Sequence, residues 1–248
     1  MPRADNVSEN KSVFLSAEWR DLVMLNYEVS PRLLQPYVPR GTELDSFEGK
    51  TFVSVVGFRF LKTRLFGILS IPFHTDFDEV NLRFYVRRDD AGTYKRGVVF
   101  VREIVPRRAI ALVARLAYRE NYVALPMKHK IATNNATVSA DYQWKLNGQW
   151  CRLHAQAAQP SIQLAEGSLE QFITEHYWGY AAQPGGGCKE YQVVHTPWRV
   201  WTAADAGVGG DCEPLYGAEF SRILNRQPDS AFIADGSPVC VFQGRRIS

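Results

Sequence analysis

The ten residues Glu79 to Arg88, EVNLRFYVRR, set Val80, Leu82, Phe84 and Val86 against Asn81, Arg83, Tyr85 and Arg87. A period of two places these sets on opposite faces of an extended strand with one buried face and excludes an amphipathic helix. One strand demands others, because its backbone donors and acceptors need partners. The segment Tyr94 to Ile104 supplies the nearest, joined through the turn Asp89-Asp90-Ala91-Gly92. Thr51 to Phe60, TFVSVVGFRF, is rich in β-branched and aromatic residues and reads as a further strand, with Gly57 marking a bulge. Leu22 to Val29 suits a buried strand, and Asn147-Gly148 joins Ala136–Leu146 to Gln149–Ala158 as a hairpin. Glu190 to Trp201 and Pro238 to Gln243 complete the β-like sequence.

Helical signals are few and short. Ser30-Pro31 offers an N-cap followed by proline at the first helical position, and the helix ends at Pro39-Arg40-Gly41. Ser168-Leu169-Glu170-Gln171 has the form of a capping box opening a helix to about Tyr177. Pro106 to Tyr118 is apolar in its middle and is read as a short helix, and Gly217 to Asn225 as the last one. Residues 62 to 75, with Gly67, Pro72 and His74, suit a loop folding over the domain. No alternation of strand and helix of the parallel type occurs. The expectation is therefore one mostly β (α+β) domain, an antiparallel barrel or curved sheet over residues 13 to 248, after a flexible N-terminal arm over residues 1 to 12.

A chain of 248 residues with 46% hydrophobic content has ample material for a core. Its formal net charge is only +3 and its basic residues are scattered, so no nucleic-acid surface is expected. No apolar run spans a bilayer and the polar N-terminus lacks a signal-type core, which gives the expectation of a cytoplasmic protein without membrane partners. Cys151, Cys188, Cys212 and Cys240 are widely spaced, so buried free thiols are expected and no metal site is signalled. Phosphate-binding glycine loops, the dinucleotide fingerprint, the nucleophile elbow and the zinc-protease helix are all missing; no cofactor is expected.

Lysine, carboxylate and histidine remain. Glu120 precedes Lys128, His129 and Lys130 in a proline-broken stretch, and a lysine desolvated or crowded by another cation becomes a free amine able to attack a carbonyl. Exposed lysines on a strand edge have the same spacing. Glu79, after Asp76 and Asp78, opens its strand either as an acid–base group or as part of an exposed acidic turn. His176 with Trp178, and His195 with Trp198, have the composition of a small-molecule pocket and equally that of a core.

The segments FLSAEWRDLVMLNYEVSP, YVPRGTELD, VSVVGFRF, FDEVNLRFYVRR, ENYVALPM, EHYWGY, HTPWRVW and SPVCVFQG resemble the uncharacterised DUF2071 or YqjF-like family, which is grouped with the acetoacetate decarboxylase-like superfamily. The resemblance covers nearly all of residues 13 to 244. It implies an antiparallel cone-like β-barrel with a few short helices, enclosing a small-molecule cavity. In the decarboxylase a lysine after a proline forms a Schiff base and a second lysine follows it, with an arginine and a glutamate completing the site. Carried over, the arginine is Arg20, the glutamate Glu79 and the proline Pro126; Met127 stands at the Schiff-base position and Lys128 at the second. Methionine forms no imine. A register shifted by one residue would instead bring Lys128 into the cavity.

Two functions follow as expectations. One is a lyase-like barrel taking a small carbonyl or carboxylate compound, with Arg20, Glu79 and Lys128 as catalytic groups and Met127, His176, Trp178, His195 and Trp198 lining the pocket. The other is a non-catalytic binding module that keeps the cavity. A homo-oligomer is compatible with both.

Overall fold

A computed structural model of the chain describes residues 12–70, 75–112 and 120–247. Its strands run, in chain order, as β1 (Val13–Val29), β2 (Glu43–Leu44), β3 (Thr51–Leu65), β4 (Phe77–Asp90), β5 (Thr93–Val105), β6 (Tyr122–Ala124), β7 (Met127–Thr133) and β8 (Thr137–Leu146). They continue as β9 (Gln149–Ala158), β10 (Ile162–Gln163), β11 (Trp178–Ala182), β12 (Cys188–His195), β13 (Arg199–Gly209), β14 (Ser230–Phe242) and β15 (Arg245–Ile247). The helices are brief: α1 (Pro31–Leu34), α2 (residues 108–112), α3 (Leu169–Thr174), α4 (Glu213–Tyr216) and α5 (Ala218–Leu224). The fold class is mostly β, as the alternating segments require.

Strand order places β12, β11, β5, β4, β3, β1 and β14 side by side. β14 then pairs back onto β12 through Val193 with Val241, Val194 with Cys240 and His195 with Val239, which closes these strands into a ring. Most pairings are antiparallel; β11 and β6 run parallel to β5. Farther along, β14 also pairs with β13, which carries β9, β8 and β7 as an outer layer.

Ring strands are thus buried on both faces. Val53 and Val55 of β3, with Val80, Leu82, Phe84 and Val86 of β4, join the outer layer's Tyr142 and Leu153 in one core. The opposite faces, with Met24, Val56, Phe58 and Phe60, form a second core inside the ring. Gly57 sits where the layers meet. A Cβ there would stand 2.8 Å from both Leu153 and Tyr142, so the glycine permits a close approach of β3 to the outer layer. The irregularity expected at Gly57 lies instead across from it on β1, between Arg20 and Val23, where Asp21 takes φ 57°.

Local signals held well. Ala91-Gly92 and Asn147-Gly148 turn with both residues at positive φ, the geometry that matches strand twist. The Ser168 hydroxyl accepts from the Gln171 amide and starts α3, but the helix stops at Thr174 rather than near Tyr177. The chain leaves the helix at Glu175, with φ −97° and ψ 54°, and the Tyr177 carbonyl then accepts from the Val193 amide of β12. β3 extends to Leu65, shortening the loop expected over residues 62–75, of which 71–74 lie outside the described residues. The helix expected over Pro106 to Tyr118 is present at residues 108–112, and residues 113–119 lie outside the described ones. No helix among the described residues is long and apolar enough to cross a membrane. All four cysteines are free thiols.

Candidate functional site

A cavity of about 170 Å³ lies inside the ring. Its apolar wall includes Trp19 and Leu22 from β1, Val56, Phe58 and Phe60 from β3, and Val98 and Phe100 from β5. Its polar wall comes from the face of β4 that carries Glu79, Asn81 and Arg83, and from Glu103, Glu120 and Tyr122. Ten buried side-chain polar atoms among the described residues have no hydrogen-bond partner, and six belong to residues of this cavity: Trp19, Thr63, Asn81, Arg83, Glu103 and His176. Unmade hydrogen bonds are costly in a protein interior, so their concentration at one cavity marks it as a place for water or a polar ligand.

Strand register assembles the acidic side. Glu103 of β5 lies opposite both Asn81 of β4 and Tyr122 of β6, making one row across three strands. Glu79 stands two residues before Asn81 and Glu120 two before Tyr122, so each carboxyl flanks that row. Asn81 Nδ2 donates to Glu79 Oε1 at 2.9 Å, and the Tyr122 hydroxyl donates to Glu79 Oε2 at 3.3 Å. The Tyr191 hydroxyl donates to Glu120.

Burial pushes the Glu79 carboxyl up to about 7, against hydrogen bonds from Asn81 and Tyr122 and the charge of Arg83. Burial likewise raises Glu120 to about 8, opposed by Tyr191. Glu103 is raised well above the carboxylate range by burial and by the charges of Glu120 and Glu79. Tyr122, raised by burial and by the charge of Glu103, lies between that residue and Glu79, to which its hydroxyl donates.

At the other end of the β4 face, Arg83 Nη2 donates to the Ile173 carbonyl at 3.4 Å while Nε has no partner. His176, buried and beside it in the cavity wall, contacts Asp45 Oδ2 through Nε2 at 3.2 Å. Burial raises the Asp45 carboxyl, but hydrogen bonds from His176 and Arg96 outweigh that and hold it at about 2. Asp45 is therefore an acceptor, and His176 Nε2 carries the proton. Burial lowers His176 to about 4, so its ring is neutral and its unpartnered Nδ1 presents a lone pair. His195 stacks on Trp198 at 4.3 Å and is lowered to about 4, chiefly by burial.

Of the residues singled out from sequence, the structure brings Glu79, His176, Trp178, His195 and Trp198 to this cavity. Arg20, Met127 and Lys128 lie elsewhere. Trp19 faces the cavity, so Arg20 turns outward, where it pairs with Glu18 at 2.9 Å and donates to the Gly236 carbonyl. Met127 lines a separate open cleft with Asp78 and His129, which are paired at 2.8 Å. Lys128 is exposed, with Nζ 4.3 Å from the Trp150 ring centre. It belongs to β7, the terminal strand of the outer layer, where charge discourages pairing with another chain. No lysine among the described residues lines the cavity.

Sequence reasoning passed over Arg83, Asn81 and Glu103. The one signal for the first two was the polar face of an otherwise apolar strand, and it was read as facing away from the buried side. Among the described residues no group of three or more His, Cys, Asp and Glu side chains could hold a metal ion.

The comparisons with known proteins agree with this architecture. The chain is 26% identical over 203 residues to the uncharacterized protein YqjF of Bacillus subtilis strain 168, covering 80% of each. The acetoacetate decarboxylase of Legionella pneumophila is similar with a TM-score of 0.66 at 15% identity, covering 100% of this chain and 92% of that one. An acetoacetate decarboxylase-like enzyme from Sphingomonas wittichii gives 0.63 at 11% identity, covering 100% and 99%. The enduracididine biosynthesis enzyme MppR, complexed with pyruvate, gives 0.67 at 11% identity, covering 98% and 93%. At such identities these likenesses show a shared fold. A family model described as an uncharacterized conserved protein matches residues 16–238, and the chain belongs to that family, DUF2071.

Proposed function

We propose that the cavity inside the strand ring binds a small carbonyl or carboxylate compound non-covalently, and that Glu79 exchanges a proton with it. The observation that carries this reading is the gathering of unpartnered polar atoms on a cavity otherwise walled by aromatic and aliphatic side chains. Arg83 takes the part that the sequence suggested for Arg20: its free Nε is the cationic donor for a ligand oxygen. Glu79, held near neutrality, is matched to acid–base work at ordinary pH, with the Tyr122 hydroxyl hydrogen-bonded to it. Trp178, His195 and Trp198 shape the wall.

Imine chemistry has no support in this geometry. Lys128 stands outside the cavity, so borohydride reduction after incubation with small keto acids and aldehydes should leave no adduct on it. The absence of lysine from the described lining residues also favours a second reading, a binding module without turnover. Both are separated by one experiment on a panel of such compounds. Any turnover should vary with pH around the Glu79 value of about 7, and Glu79→Gln should abolish that dependence. A profile unchanged in Glu79→Gln removes the acid–base role; saturable binding without turnover establishes the module.

A further inference from the structure

We propose that the ligand of this cavity carries, besides the carbonyl or carboxylate oxygen that Arg83 meets, a hydrogen-bond-donating cation, an ammonium or amidinium, seated against Glu79, Glu103 and Glu120. The inference rests on the cavity being a ligand site and names what that ligand must bring. Three carboxyl groups face one space, and among the described residues the one arginine lining it, Arg83, acts on Glu79 and not on Glu103 or Glu120. Lys189 on β12 acts on Glu120, and the hydroxyls of Tyr122 and Tyr191 hydrogen-bond to the carboxyls. Among the described residues, no cation acts on Glu103.

Independent of charge, the unpartnered atoms on this side are acceptors. Asn81 Oδ1 and Glu103 Oε2 have no partner, and both residues are 1% exposed. With the Glu103 proton on its other oxygen or released, a carbonyl or carboxylate placed there would set lone pair against lone pair, whereas an N–H cation satisfies both atoms and takes the place of the carboxyl protons. The facing wall suits the same guest, since Trp19, Phe58 and Phe60 present aromatic surface that favours both an apolar body and a cation. Size limits that body. At about 170 Å³ the cavity is close to the roughly 150 Å³ that accommodates a single benzene ring. Because the empty site holds protons on its carboxyls near neutral pH, binding a cation should expel protons to solvent.

Isothermal titration calorimetry of the full chain tests this with benzamidine, set against its neutral isostere benzamide and the anion benzoate, in two buffers of different ionisation enthalpy near neutral pH. Benzamidine is expected to bind at least about tenfold more tightly than either and to release protons, and Glu103→Gln is expected to lose about tenfold for benzamidine alone. Equal or tighter binding of benzamide or benzoate overturns the cation while leaving the cavity as a ligand site. Benzamidine binding that is unchanged in a Glu103→Gln protein of wild-type melting temperature, or that releases no protons, also overturns it. If no probe binds, the cation inference falls, and the keto acid and aldehyde panel decides separately on the ligand site.

Discussion

Glu79 and Glu120 keep their protons into the neutral range because water is excluded from the place where their charge would form, and Glu103 between them feels both. A carboxyl raised on folding binds its proton more tightly in the native than in the unfolded chain. Its contribution to stability is complete below about 4.5 and disappears as pH rises through about 8 for Glu120. The histidines act oppositely: buried His176 and half-buried His195, lowered from 6.5 to about 4, favour the fold above 6.5 and lose that contribution as pH falls through about 4. Glu120→Gln isolates the carboxylate effect. Its melting temperature should exceed the wild type's above pH 8, with the advantage shrinking toward pH 4.5; thermal melts showing a wild-type advantage that grows with pH would contradict the assignment. At this scale the sequence showed Glu79, because it heads an alternating strand, and the two His–Trp pairs. It could not show Arg83 as a cavity residue, since a polar residue on the second face of a strand looks solvated until something encloses that face. Arg20 and Lys128 were suggested by similarity in sequence, and local geometry turns both away: neighbouring Trp19 takes the inward position, and β7 lies in the outer layer.

Hairpins were the most legible elements because their signals are local. Ala91-Gly92 and Asn147-Gly148 need nothing beyond a few residues to set the register of β4 with β5 and of β8 with β9. The partners that close the ring, β12 and β14, meet only across a long separation, and no local pattern announces their register. Helix α3 was recognised from its cap but not its end, where the chain leaves helical geometry at Glu175 before Tyr177 pairs with Val193. Gly57 ties these levels together, since its missing side chain lets β3 lie close to β8 and β9. Gly57→Ala should destabilise the protein by about 1–3 kcal/mol in urea denaturation, because the added methyl must displace Leu153 and Tyr142. A change within about 0.5 kcal/mol would mean that the layers part more easily than their packing indicates.

Across the whole molecule, the ring and its outer layer divide the apolar residues between two cores and leave one internal space where charge collects. The outer core accounts for most of the alternation visible in the sequence. The inner one does not resemble a core in sequence, because Glu79, Asn81, Arg83 and Glu103 are interspersed in it. Similarity to a family supplied the ring-like architecture in advance, while the identity of the residues facing inward depended on strand register. Titration of the intrinsic fluorescence tests the ligand cavity most directly, since Trp19, Trp178 and Trp198 all line it. With a panel of small carbonyl, carboxylate and amine compounds, at least one should give a saturable change that persists in Lys128→Gln and vanishes in Val98→Phe, which fills the space. The contrary result is a panel without any response, or a response lost in Lys128→Gln and kept in Val98→Phe, which would move the site out of the ring.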